Sequence, residues 1–271
     1  FFEHEHNLHD HHHHEHRHDG SHTRETAGAH AGLHHGNHRR LEVTPFTDCY
    51  PGDTGFHTLN MGLAMGGALY QRLGNNTASA MVFFEELMND ANLIYETQLH
   101  IILTISDVFI LTEVDEGPAW NAGQEESCPG ISDQLNWFRE WVSGRPSQGL
   151  WHLLRDCRKE GTIGVGYLGV ICRRFGINTA VTFYQFEETF RIFAHEVGHN
   201  FNAEHSFAEG QGTTGGIMDY GDGTLDGFYQ FNEQYRKDEI CEELTEQIGC
   251  RHFNSVPDPT PSPTATPSQS L

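Results

Sequence analysis

The run His195-Glu196-Val197-Gly198-His199-Asn200-Phe201-Asn202-Ala203-Glu204-His205 gathers three imidazoles and two carboxylates, in a chain that has only four other histidines beyond residue 40. Residues four apart share a helix face, so His195 and His199 lie one turn apart on the same side, with Glu196 flanking them. Two imidazoles so placed can share one metal ion. A third donor, His205, reaches the same point only if the helix stops and the chain turns back. Asn202 stands where that turn must fall, and asparagine is among the few residues besides glycine that enter the left-handed region cheaply. Asn200 reads as a polar residue of the last helical turn whose side chain braces that turn.

A His-Glu-x-x-His pair on a helix, completed by a third histidine, is the donor set of a catalytic zinc site: three protein ligands and one position left for water. Zinc acidifies that water and polarises a carbonyl, and the glutamate accepts the proton and passes it on. That is the chemistry of peptide hydrolysis.

The elements that must position these groups are legible from periodicity. Phe190, Phe193, Ala194, Val197, Gly198 and Phe201 form the apolar stripe of a helix, and Glu187 and Glu188 suit its positive end. Both histidines lie opposite that stripe, facing solvent or a cleft. Upstream, 58–66 reads as a strand, and Met81, Phe84, Leu87, Met88, Ala91 and Ile94 or Tyr95 line a helix that Asn76 or Thr77 can cap. The β-branched run Leu99–Leu111 reads as a central strand. A helix with an aromatic face follows at 131–143, then strands at 149–157, 161–172 and 179–185, the active-site helix, and a last helix near 232–248.

HEVGHNFNAEH resembles the metzincin signature His-Glu-x-x-His-x-x-Gly-x-x-His, with Asn202 at the glycine position. GGIMDY, with Met218 thirteen residues after His205, is similar to the methionine turn of that family. The resemblance covers about residues 55–252. Within metzincins, NLIYETQLHIILTI, LWHLL and GVGYLGVIC resemble the reprolysin or ADAM-like branch. It implies an α+β domain: a mixed five-stranded twisted sheet with an edge strand over the cleft, long helices including the zinc-binding one, and an irregular C-terminal subdomain with the methionine turn. It also implies a secreted zinc endopeptidase. His195, His199 and His205 would hold one Zn2+, Glu196 would be the general base, and Met218 would lie beneath the metal. Tyr220 has the position of a tyrosine zinc ligand in astacins and serralysins; it would bind zinc, steady an oxyanion, or simply pack with its hydroxyl hydrogen-bonded. Ser206 follows the third histidine as in matrixins, where reprolysins usually have Asp, and HSFAEGQGTTGGIM lacks the reprolysin cysteines. The subfamily therefore stays open. The strand at 163–170 would pair antiparallel with a protein or peptide substrate, and its glycines mark either that approach or a crowded, bulged strand.

The 271 residues divide into three parts. Residues 1–40 hold 14 of the 21 histidines and almost no large apolar side chains, so this segment is expected to be disordered unless extra metal orders it. Residues 41–255 make the protease-like domain. Residues 256–271, rich in Pro, Ser and Thr, read as an extended linker, with a further domain possible after it. A net charge of −22 argues against nucleic acid and anionic membranes as partners. No apolar run is long enough for a membrane span.

Six cysteines with no CxxC pair suit an oxidising compartment and up to three disulfides. Cys157 with Cys172 is the expected pair, and Cys128 is expected to join Cys250 or Cys241. Cys49 is favoured as a disulfide over a free thiol that blocks zinc. One sequon, Asn75-Asn76-Thr77, fits a secreted chain. His57, His100, His152 and His252 read as ordinary strand or loop residues. A second functional class stays in view: a non-catalytic metal-binding or interaction protein that keeps the fold, with the histidine tail as its working part.

Overall fold

The structure is a computed structural model and describes residues 3–7, 43–46, 49–52, 54–123, 127–157, 161–219 and 229–256. The elements are β1 (Glu3–Asn7), β2 (His57–Met65), α1 (Gly67–Arg72), α2 (Thr77–Leu99), β3 (Ile101–Ile110), α3 (Ile131–Val142), β4 (Leu150–Arg155), β5 (Thr162–Tyr167), β6 (Thr179–Phe183), α4 (Thr189–Asn200), α5 (Glu233–Glu246) and β7 (Phe253–Ser255). Local chemistry explains the long helix α2. Asn76 caps it by accepting from the amides of Ala78 and Ser79, and Phe84, Leu87, Met88, Ala91, Ile94 and Tyr95 bury one face. It ends at His100, whose φ of 55° turns the chain straight into β3.

The strands form one seven-stranded sheet in the order β1-β5-β6-β4-β2-β3, with β7 also paired to β2. β2, β3, β4 and β6 run parallel to one another, and β5 is antiparallel to β6. Helices cover both faces. α2 and α4 pack together on one side with Tyr95, Phe193, Phe201 and Phe231 in their core; α3 packs on the other with Trp120, Phe138, Trp151 and Val165. β4 is buried along its whole length, which is the mark of a strand covered on both faces.

Several expectations are revised. The run read as a central strand is β3, at one end of the sheet, and from Ile105 onward it is only half-buried or exposed. β-Branched content reports covered faces but not lateral neighbours. A bulge opposite Met61 and Gly62 further interrupts this edge. The five expected strands gain two more from outside the central part of the domain, β1 and β7. Within 1–40, Glu3–Asn7 pair antiparallel with β5. Composition counts apolar burial, whereas this strand is held by a backbone ladder; the rest of 1–40 lies outside the described residues, as does 257–271 of the linker. With β1 in place, β5 is not the outermost strand.

The disulfides are Cys49–Cys241, Cys128–Cys157 and Cys172–Cys250. Cys157 does not pair with Cys172, because β6 lies between β4 and β5, and Cys128 is bonded to Cys157 instead of Cys250 or Cys241. With β5 running opposite to β4, the cysteines that follow these strands fall at opposite ends of the sheet. Cys49 is bonded, as favoured.

Candidate metal centre

Helix α4 carries His195, Glu196 and His199, and all three are buried. Its second half is buried throughout, so the histidines opposite the apolar stripe are buried as well. The helix stops with a Schellman arrangement. The amide of Asn202 donates to His199 O at 2.8 Å and that of Ala203 to Gly198 O at 3.0 Å, while Asn202 takes φ 75°. Asparagine thus fills a left-handed position usually given to glycine. The turn carries the chain back, and His205 returns to the same point.

The Nε2 atoms of His195 and His199 each lie 2.9 Å from Nε2 of His205. Two nitrogens on one tetrahedral ion with bonds of about 2.0–2.1 Å would stand roughly 3.3 Å apart, so the trio is closed to within a few tenths of an ångström of an ion-holding geometry. The tautomers agree with that use. His195 donates from Nδ1 to Ile217 O at 2.7 Å, and His199 from Nδ1 to Ala203 O at 2.8 Å, which turns both Nε2 lone pairs to the common point. These three residues could hold a metal ion, and no other such group occurs among the described residues.

Glu196 sits beside them with neither carboxylate oxygen hydrogen-bonded. Burial pushes its carboxyl well above the usual range; a cation on the neighbouring imidazoles would oppose that push. Room for it comes from β5. A Cβ built on Gly164 would lie 2.2 Å from Glu196 Oε1, so only glycine lets the strand pass this close. The glycines of this strand mark close approach, not idle flexibility.

Met218 is buried under the helix, and a Cβ on Gly198 would lie 2.8 Å from its Sδ. Tyr220 lies outside the described residues. His57, His100, His152 and His252 are not drawn into the cluster. His152 packs on Phe193 and meets Thr182 Oγ1 at 2.9 Å, and burial lowers its pKa to about 3.

Sequence reasoning missed three supports. Asn200 does not brace its own turn: its Nδ2 donates to Tyr167 O at 2.9 Å and Thr179 O at 3.2 Å, tying the end of α4 to β5 and β6. Arg236, buried on α5, donates to Glu204 O at 2.7 Å, His205 O at 3.3 Å and Glu209 Oε1 at 2.8 Å, fixing the backbone of the third histidine. Asp219 accepts from Ser206 Oγ and the amide of Gly212 on one oxygen, and from Thr214 N, Thr214 Oγ1 and Gly215 N on the other. Burial pushes the Asp219 carboxyl up, but these bonds outweigh it and hold the pKa below its ordinary value. A lone acidic or basic residue carries no sequence signal for such clamps.

The sequence profile described as Metallo-peptidase family M12B Reprolysin-like matches residues 76–223, which hold every member of the cluster. The chain belongs to this reprolysin-like family. Its curated relatives include "Disintegrin and metalloproteinase domain-containing protein B" of Arthroderma otae, 27% identical over 142 residues, or 44% of this chain and 18% of that protein. The protein of the same name from Aspergillus fumigatus is 26% identical over 145 residues, 48% of this chain and 18% of that one. The reprolysin-like chain thus corresponds to about a fifth of these relatives. Among solved structures, a chain of "Structure of a chaperone-substrate complex" aligns at a TM-score of 0.48 and 15% identity, covering 72% of this chain and 38% of that one.

Proposed function

We propose that this chain is a secreted, zinc-dependent endopeptidase in which His195, His199 and His205 hold the ion and Glu196 is the general base. The observation that carries the reading is the convergence of three imidazole nitrogens beside a buried carboxylate that no other group engages. A structural site would be closed by a fourth protein donor and would not need an unengaged carboxylate at its side.

When bound, zinc supplies Lewis acidity that polarises a carbonyl and acidifies water. The chain's own residues do the rest. The Nδ1 bonds of His195 and His199 keep their Nε2 lone pairs aimed at one point. Glu196 takes a proton from the attacking water at Oε1 or Oε2 and returns it to the departing amine. Gly164 keeps that carboxylate clear. Three disulfides, together with no helix among the described residues long and apolar enough to cross a membrane, support an extracellular setting.

The test compares the full chain with Glu196→Gln and His199→Ala. Glu196→Gln should keep the ion and lose about 10²–10⁴-fold in casein hydrolysis. His199→Ala should bind one zinc fewer per chain, which separates this ion from any held by the histidine tail. Hydrolysis persisting in Glu196→Gln would remove the base from the reading, and an unchanged zinc count in His199→Ala would remove the site.

A further inference from the structure

On α2, Phe83, Glu86, Leu87 and Asp90 recur at the three- and four-residue spacing that puts side chains on one face of a helix. The short turn Phe186–Glu188, which leads into α4, packs against that face. Between them lies a cleft of about 660 Å³, large enough for a small ligand or a long side chain. It opens at the start of α4, where Thr189 stands roughly 9 Å along the helix axis from His195. None of its lining residues belongs to the histidine centre.

The walls of the cleft are aromatic and its rim is acidic. Tyr184 meets Phe83 at 5.9 Å and Phe186 at 5.2 Å between ring centroids. Phe186 is 70% exposed and has a φ of 49°, which a bulky residue rarely takes. Two bonds hold it there: Gln185 N donates to Thr189 Oγ1 at 2.8 Å, and Thr189 Oγ1 donates to Phe186 O at 2.9 Å. Glu188 is paired with Arg191, but Glu86, Asp90 and Glu187 have no ion-pair partner among the described residues. The chain itself shows what these rings accept. The guanidinium of Arg72, paired with Asp156 and not itself part of the lining, lies 5.9 Å from the Tyr184 centroid and 5.8 Å from that of Phe186.

We propose that this cleft is a docking site for an arginine side chain on a basic segment of a protein partner, separate from the metal centre. A guanidinium stacks on aromatic faces and pairs with carboxylates, and its methylene stem covers the apolar wall. An anionic partner would meet three unbalanced negative charges, and an apolar one would leave them unengaged. The net charge of −22 draws basic chains to the whole surface; the rings are what would hold one at this place. On the endopeptidase reading, a substrate with such a segment would be gripped at a distance from the cut, but the docking itself does not depend on that reading.

Fluorescence polarisation tests this with a fluorescein-labelled glycine-serine peptide that carries two arginines, titrated with the full chain in a Glu196→Gln background so that binding is read without turnover. Replacing both arginines by citrulline, which keeps the shape and loses the charge, should weaken binding at least about tenfold. Glu86→Gln/Asp90→Asn/Glu187→Gln should weaken it about tenfold and Phe186→Ala about threefold, all at exposed positions. The same change of charge away from the cleft, Glu113→Gln/Asp238→Asn/Glu242→Gln, should alter affinity by less than about twofold. Equal losses in the two triple variants would reduce the effect to bulk charge and overturn the site. So would a citrulline peptide that binds as well, an unchanged affinity in Phe186→Ala, or no saturable binding at all. A failed zinc count in His199→Ala would leave this docking result standing, and a failed docking test would leave the histidine centre standing.

Discussion

His195 and His199 owe their positions to a helix welded to a sheet, whereas His205 owes its position to a loop tied down by side chains. On the helix side the work is done by periodicity, by Asn200 reaching Tyr167 and Thr179, and by the amides of Gly169, Val170 and Ile171, which cap the last carbonyls of α4. On the loop side there is no ladder. Arg236 and Asp219 hold the chain on either flank, and two of the three disulfides, Cys49–Cys241 and Cys172–Cys250, anchor the C-terminal part that carries Arg236. Regular structure fixes side chains through many weak, shared contacts. Irregular structure fixes them through a few groups that can each be removed.

The sharpest way to break that contrast is Arg236→Met. Leaving Glu209 and two carbonyls without their buried partner should cost about 3–5 kcal/mol and weaken metal affinity about 10–100-fold, read by denaturant melts and zinc titration. Native-like zinc affinity would mean that the loop holds His205 unaided. On the helix side, Gly164→Ala forces a Cβ against Glu196 and should cost about 1–3 kcal/mol, with hydrolysis falling by about 10²-fold while zinc remains bound. Full activity would show that β5 does not crowd the carboxylate.

Asp219→Asn should destabilise by about 1–2 kcal/mol near neutrality. The Asp219 pKa is lowered in the folded chain, so its contribution is present above the unfolded value near 3.8 and is lost as pH falls through the folded one. The gap between Asp219→Asn and the unsubstituted chain should therefore close in acid, and a constant gap would contradict the clamp. Glu243 on α5 gives the opposite sign and the smallest effect. Burial outweighs Arg173 and raises its pKa from 4.5 to about 7, so it favours folding below pH 4.5 and loses that contribution as pH rises through 7. Glu243→Gln should gain about 1 kcal/mol on the unsubstituted chain between pH 5 and pH 8, after allowance for solvent screening. Parallel stability profiles would refute it.

The same contrast sets what could be read from the sequence. The His-Glu-x-x-His spacing, the Asn76 cap and the turn at Asn202 are local, fixed by helix geometry and by one residue's backbone tolerance. β3 looked central because Ile101–Ile110 is rich in β-branched residues, yet its neighbours are decided by the whole sheet. α1 is six residues long with a glycine at its N-cap and no side-chain cap, so it left little periodic trace. The disulfide partners, the reach of Asn200 and the grip of Arg236 join residues distant in sequence, and the β1 ladder spans more than 150 positions. None of these has a local signature.

The bridges around α5 carry a last consequence. Cys241 lies on the same helix as Arg236, and Cys250 follows it, so opening both bonds would free the helix that grips the backbone of His205. Thiol exposure should then announce itself as leaked metal before any loss of the sheet, in a titration that follows zinc release and far-ultraviolet dichroism side by side. An oxidising milieu would be, for this chain, a condition of keeping His205 in register.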